Sequence, residues 1–371
     1  MFEASSDILL SHWIWDVVGR NWALISIVGT LAVLTITPTL ILRKYVNISR
    51  NIMDDTPPPL SMGPLDFERI GGEPLSFRAF DGHALSGMML RGHPDRSPRG
   101  LIIFAHEYSS DAYSCARYCR PLLEAGYDVM TFDFRGHGGS RTEEGYKPRQ
   151  WASDRELADM LGAIAHAEEW LEQAGRPREV GLFGISRGGC AAILAAVGVS
   201  SVRAILTDGA FSTDSTLEYL MKRWATIFAK VRVVAESHPP VFWRFLRWLL
   251  LRDAGQRWKC RFPSVRKALA RLGERPVFLI HGERDSFIPV AQSQMLYDLA
   301  HGPKYLWIVP AAKHNQSVVV QPEQYARRIV QFFDQHLAGV VAERLPTGLL
   351  SDLAQPLADP RPVRGLSRAK R

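Results

Sequence analysis

The chain has 371 residues, 46% hydrophobic and 22% charged, a balance that fits a globular protein with a large core and excludes a disordered or fibrous one. The net charge of +7 invites a nucleic-acid reading, but no nucleic-acid motif accompanies it and much of the excess lies outside the central part of the chain. The four cysteines (Cys115, Cys119, Cys190, Cys260) show neither disulfide nor zinc spacing; they read as core or surface thiols and suit a reducing compartment.

Residues 1–22 form an N-terminal segment ahead of the first strong signal. Residues 23–42 carry no charge, and as a helix they match about one bilayer thickness. Trp13, Trp15 and Trp22 precede the run and Tyr45 follows it, as interfacial aromatics would. A cleavable signal peptide would have a basic start and a shorter apolar core, whereas here Glu3, Asp7 and Asp16 outnumber Arg20. A buried core helix would keep a polar face, which the run lacks. The expectation is a single retained membrane anchor. Arg43, Lys44 and Arg50 follow it and only Arg20 precedes it, which places the rest of the chain in the cytoplasm. Residues 43–65, with Pro57-Pro58-Pro59, read as a stiff linker.

Strands are expected at residues 67–70, 75–80 and 84–90, with Asp81-Gly82 as a hairpin turn. A buried strand at 101–105, a helix at 112–124, a strand at 127–132 and a long helix at 151–173 follow. This alternation calls for a mostly parallel sheet with helices on both faces.

The stretch Gly184-Ile185-Ser186-Arg187-Gly188 comes next. An apolar strand-like run ends just before it and a run of small, helix-prone residues follows, so the chain must turn sharply at Ser186. Glycines at positions 184 and 188 supply the room such a turn needs. The turn would lift the Ser186 hydroxyl out of the sheet, above a helix N-terminus that favours negative charge. A serine nucleophile needs a base, and the base an orienting acid. The strand at 202–207 ends in Asp208. The strand in Pro276-Val277-Phe278-Leu279-Ile280-His281-Gly282 is followed by a loop with Asp285, and the strand at 305–310 by a loop with His314. Asp208 and Asp285 are thus both candidate acids, and His314 is the candidate base. Between about residues 211 and 267 lies an insertion containing Val241-Phe242-Trp243-Arg244-Phe245-Leu246-Arg247-Trp248-Leu249-Leu250-Leu251-Arg252. It reads either as a helix packed on the core with snorkelling arginines or as an interfacial lid. Residues 341–371 are basic and Pro-rich and are expected to be a disordered tail.

Taken together, Ile103-Phe104-Ala105-His106-Glu107, Asp133-Phe134-Arg135-Gly136-His137-Gly138-Gly139-Ser140, the Ser186 turn, His281-Gly282-Glu283-Arg284-Asp285 and the His314 loop resemble the α/β-hydrolase superfamily. Within it they are similar to the serine-aminopeptidase-like and monoacylglycerol-lipase-like esterases, over about residues 66–340. The resemblance implies an α/β-hydrolase domain with a helical cap at about 211–267, a triad in the order Ser186, Asp285, His314, and a mainly structural role for the His137 loop. It favours Asp285 over Asp208. It also implies an oxyanion hole from the backbone N–H groups of Glu107 and Arg187. Glu107 departs from the family, which usually has glycine there; its carboxylate is expected to be exposed, to point away from the hole, or to pair with Arg187.

The function expected is a single-pass membrane serine hydrolase acting on small-molecule or lipid-like esters or thioesters, with no cofactor, no metal and no nucleic-acid partner. An acyltransferase or cofactor-free haloperoxidase on the same triad, or a non-catalytic tethered interaction protein, are the alternatives.

Overall fold

The computed structural model describes residues 4–54, 66–92, 98–228 and 238–338. The chain begins with one helix, α1 (Ala4–Asp54), and then builds a single sheet of eight strands. These are β1 (Glu73–Arg78), β2 (Ala84–Leu90), β3 (Leu101–Ala105), β4 (Asp128–Phe132), β5 (Val180–Ile185), β6 (Val202–Asp208), β7 (Val277–Gly282) and β8 (Lys304–Val309), in the order β1-β2-β4-β3-β5-β6-β7-β8. Only β2 runs against its neighbours; the pairs from β4 to β8 are all parallel. Parallel neighbours need crossovers, and helices supply them on both faces. α2 (Cys115–Glu124) and α10 (Pro322–His336) cover one face. α3 (Asp154–Gln173) and α4 (Arg187–Ala196) cover the other.

The central strands are buried throughout, and their side chains divide strictly by alternation. Leu101, Ile103 and Ala105 join the core under α3 and α4, while Ile102 and Phe104 join the core under α2 and α10. All four cysteines are buried free thiols within this framework. Ser153 starts α3 with a capping box, its side chain and that of Glu156 each bonding the other's end of the turn. In α10, Pro322 opens the helix, and Tyr325, Ile329, Phe332 and Phe333 form the inward stripe.

Between β6 and β7 the chain leaves the sheet for the cap. It contains α5 (Thr213–Phe228), α6 (Pro240–Trp258) and α7 (Val265–Leu269). Beyond β7, α8 (Ala291–Leu299) leads to β8, and α9 (Ser317–Val320) precedes α10.

Two expectations need correction. Residues 67–70 are not a strand: Phe67 is buried and Ile70 half-buried against the core, but they pair with no ladder before Gly71-Gly72. The linker expected from residue 43 does not begin there either, because α1 continues unbroken to Asp54. Leu42, Tyr45, Val46, Ser49, Ile52 and Met53 form one helical face, and it packs against the cap and core. That spacing is the inward stripe of an ordinary packed helix. Residues 55–65 and the tail at 341–371 lie outside the described residues. The part of α1 from Asn21 onward is long and apolar enough to cross a membrane, and none of its most apolar stretch is buried.

Candidate active site

Ser186 stands between β5 and α4 with φ of 50° and ψ of −116°, outside the regions a side-chain-bearing residue normally adopts. The strain is held in place by its neighbours. The Ser186 N–H donates to the Asp208 carbonyl at 2.7 Å, and its own carbonyl accepts from Cys190 N–H at 3.1 Å. A Cβ on Gly184 would sit 2.5 Å from Gly189, and one on Gly188 would strike the backbone carbonyl of Ala105. The two glycines are therefore required by close backbone approach.

The Ser186 hydroxyl lies 2.9 Å from Nε2 of His314. On the far side of the ring, Nδ1 lies 2.5 Å from Oδ2 of Asp285. A carboxylate only accepts, so Nδ1 carries the proton and Nε2 is free to accept from the serine. The other oxygen of Asp285 takes the N–H groups of Phe287 at 2.9 Å and Ile288 at 2.8 Å. Burial works to raise the Asp285 carboxyl, but His314, both as a nearby charge and as a donor, and these backbone bonds outweigh it and hold it below the usual range. The acid and base loops are stitched to each other as well. Arg284 N–H donates to the Ala312 carbonyl at 2.8 Å, and Ala311 N–H to the Glu283 carboxylate at 3.1 Å. Phe287 sets its ring edge-on to the imidazole at 5.5 Å.

Asp208, the second candidate acid, makes no hydrogen bond to His314. It points into the α2–α10 face, where Ser317 donates to it at 3.1 Å, and burial pushes its carboxyl up to about 6. A carboxyl so placed keeps its proton to a higher pH than an ordinary aspartate does.

The loop after β3 is fixed by His106. Its Nε2 accepts Phe134 N–H at 3.1 Å, which leaves Nδ1 to donate to the Glu107 carbonyl at 2.7 Å. Burial, with the nearby His137 and Arg187, keeps that ring neutral, as this bonding demands. Glu107 is neither exposed nor paired with Arg187, contrary to two of the three options its position suggested. Its carboxyl is buried, and Ser114, just before α2, and Tyr118, within it, each donate to it at 3.3 Å. Burial raises this carboxyl, while the nearby Arg117 charge and the bonds from Ser114 and Tyr118 work the other way.

Arg187 sends its side chain in the other direction. The guanidinium is buried between the rings of Tyr108 and Phe134 and donates to the Arg149 carbonyl at 3.0 Å, Glu156 at 3.4 Å and Nε2 of His137 at 3.3 Å. His137 thus spends Nε2 on Arg187 and Nδ1 on the Arg135 carbonyl, and burial with the Arg187 charge pushes it down to about 3. It is a structural neighbour of the site. Sequence reasoning did not foresee the Arg187–Glu156 link, which ties the residue after Ser186 to the capping box of α3. The capping-box spacing of Ser153 and Glu156 was the visible signal.

Residues 102–328 match the model of the Alpha/beta hydrolase family, more than half of the chain. The chain belongs to that family. As an α/β hydrolase it is 25% identical over 247 residues to the uncharacterized protein YqkD of Bacillus subtilis, covering 65% of this chain and 73% of YqkD. It is 29% identical over 192 residues to the lysophosphatidylserine lipase ABHD12 of Danio rerio, covering 50% of this chain and 42% of the lipase. An esterase structure from Pyrococcus furiosus superposes with a TM-score of 0.51 at 24% identity, covering 76% of this chain and 98% of the esterase, a likeness of fold.

Proposed function

We propose that this α/β hydrolase is a membrane-anchored serine hydrolase that cleaves carboxylic esters or thioesters, including lipid-like ones. The observation that carries the reading is the Ser186–His314–Asp285 chain, with links of 2.9 and 2.5 Å. In the proposed reaction His314 Nε2 takes the hydroxyl proton as Ser186 Oγ attacks the acyl carbon. Asp285 keeps Nδ1 protonated and stabilises the imidazolium. The carbonyl oxygen becomes an oxyanion, which the N–H groups of Arg187 and Glu107 receive at the start of α4 and after β3. The imidazolium then returns its proton to the leaving alcohol or thiol. Water repeats the sequence on the acyl-serine and releases the acid. The Glu107 carboxyl, buried and turned toward Ser114 and Tyr118, does not oppose the oxyanion.

On this reading residues 23–42 cross the bilayer and the hydrolase domain occupies residues 66–340. Arg43, Lys44 and Arg50 beyond the span keep that domain in the cytoplasm. The deciding experiment is labelling of the full-length chain with a fluorophosphonate probe, alongside turnover of p-nitrophenyl esters of increasing chain length. Wild type should be labelled and active. Ser186→Ala should lose both, with kcat down on the order of 10⁶-fold. Labelling that persists in Ser186→Ala would sink the assignment.

A further inference from the structure

The cap is joined to α1. Tyr45 packs edge-on against Phe242 and Trp243, at 5.3 and 6.0 Å, and its hydroxyl lies 3.0 Å from His238. One turn and more further along, Arg50 grips Asp253 with two bonds, at 2.7 and 3.1 Å. At the end of α1, Asp54 pairs with Arg257 at 3.0 Å. Positions 45, 50 and 54 therefore meet positions 242, 253 and 257 in order. α6 runs alongside α1 in the same direction, with its first turn nearest the apolar run.

Helical rise turns that order into depth. Tyr45 lies about 4.5 Å along the axis beyond Leu42, the last residue of the apolar run, at about 1.5 Å per residue. A bilayer of roughly 40–45 Å, with a core of about 30 Å, has headgroup layers of several ångströms on each side. The first turns of α6 fall at that level. There the face of α6 turned away from the core is apolar. Trp243, Leu246 and Leu250 point inward, but Val241, Phe245 and Trp248 are 61%, 47% and 50% exposed. Phe245 and Trp248 stack on each other at 5.8 Å, and Arg252 lies over Trp248 at 5.3 Å. Arg244 is exposed beside them. Ile227, in the last turn of α5, is exposed too. Outside α1, large exposed hydrophobic side chains among the described residues are few, and most sit on these two cap helices.

We infer that the outer face of the first turns of α6, through Val241, Phe245 and Trp248, docks into the headgroup layer of the membrane that α1 crosses, with Arg244 beside them meeting lipid phosphates. The inference rests on the anchor proposed above. It adds that the cap itself is a lipid-contacting surface, set at a fixed height by the α1–α6 contacts. Aromatic side chains and arginines are the residues that settle at this depth, where apolar area is buried while cations stay hydrated beside anionic headgroups. A substrate with a long acyl chain would then reach the cap from the bilayer side.

The experiment places an environment-sensitive NBD label at single introduced cysteines in the full-length chain. The four native thiols are buried, so the introduced one reacts. Three sites are compared in phosphatidylcholine–phosphatidylglycerol liposomes carrying quenchers either near the headgroup or deep in the acyl chain. Val33→Cys reports the span, Phe245→Cys the cap, and Glu172→Cys the opposite end of the domain. Val33 should be quenched best by the deep probe, Phe245 best by the shallow probe, and Glu172 by neither. Quenching at Val33 with Phe245 as dark to lipid as Glu172 would overturn this inference and leave the anchor standing. No quenching at Val33 would overturn the anchor and with it this inference, which places the cap on the membrane that α1 crosses. A second variant pair, Phe245→Asp with Trp248→Asp, read by a label at Val241→Cys, should lose the shallow quenching several-fold while Ser186 still takes the fluorophosphonate. Undiminished quenching there would also overturn the proposal.

Discussion

Replacing Asp285 by asparagine tests the proposed triad most directly, because the structure dictates which way the amide must turn. One oxygen of Asp285 accepts two backbone N–H groups, from Phe287 and Ile288, and the other accepts from His314. An amide has one accepting atom. Were its oxygen turned to His314, its NH₂ would face the part-buried Phe287 and buried Ile288 N–H donors and leave both unpaired, at about 1–3 kcal/mol for the buried one. The amide oxygen therefore stays with the backbone and the NH₂ points at His314. Nδ1 must then accept, so the imidazole proton moves to Nε2, the atom that faces the Ser186 hydroxyl. The base can no longer take the serine proton. Loss of the correct tautomer in such a triad lowers kcat by about 10⁴-fold, or about 5.5 kcal/mol of barrier. Steady-state turnover of a p-nitrophenyl ester by full-length Asp285→Asn should show that fall in kcat with KM little changed. A variant within tenfold of wild type, or a larger loss in Asp208→Asn, would refute the assignment of the acid.

Asp208→Asn should instead act on stability. Burial raises the folded carboxyl to about 6 from an ordinary value of 3.8, so the folded protein holds this proton more tightly than the unfolded chain. Its contribution to stability is greatest at low pH and is lost as pH rises to about 6, by on the order of 3 kcal/mol. The melting temperature of Asp208→Asn relative to wild type should therefore climb between pH 4 and pH 8; a flat difference would mean that the carboxyl is not penalised by burial. Arg135 is fully buried and pairs with Asp159 and Glu143, each at 2.5 Å, and with Asp81 at 2.8 Å. Arg135→Met leaves Asp159 buried without its partner, and denaturant melts should show a loss of about 3–5 kcal/mol.

The architecture was legible because each signal was local. Short apolar runs marked the buried strands, and glycines two residues either side of Ser186 marked the turn that the close approach to Ala105 and Gly189 requires. His314 and two candidate acids, Asp208 and Asp285, followed from lying at or just past strand ends, and the family resemblance favoured Asp285. Two kinds of information were not local. The direction of the Glu107 side chain depends on Ser114 and Tyr118, which only the folding of α2 brings beneath it. The packed half of α1 was hidden for a similar reason. Its inward face, from Leu42 to Met53, is interrupted by charged residues and followed by three prolines, and its partners lie in α6, far along the chain. Periodicity was present there, but composition suggested a linker.

That distant pairing bears on the order in which the molecule can be assembled. Tyr45 leaves the ribosome about two hundred residues before Phe242 and Trp243, at a point where chains emerge at roughly 5–20 residues per second. For many seconds the second half of α1 has no α6 to pack on, and Ile52 and Met53, which end up buried, have nothing to cover them. Closing a loop of that length costs only a few kcal/mol more than closing a short one, since the penalty grows with the logarithm of length. The delay, rather than the final energy, is the hazard. The first helix made is among the last to be finished, and the stub at positions 43–54 is where a chaperone or the bilayer surface itself would have to stand in for the cap until the cap exists.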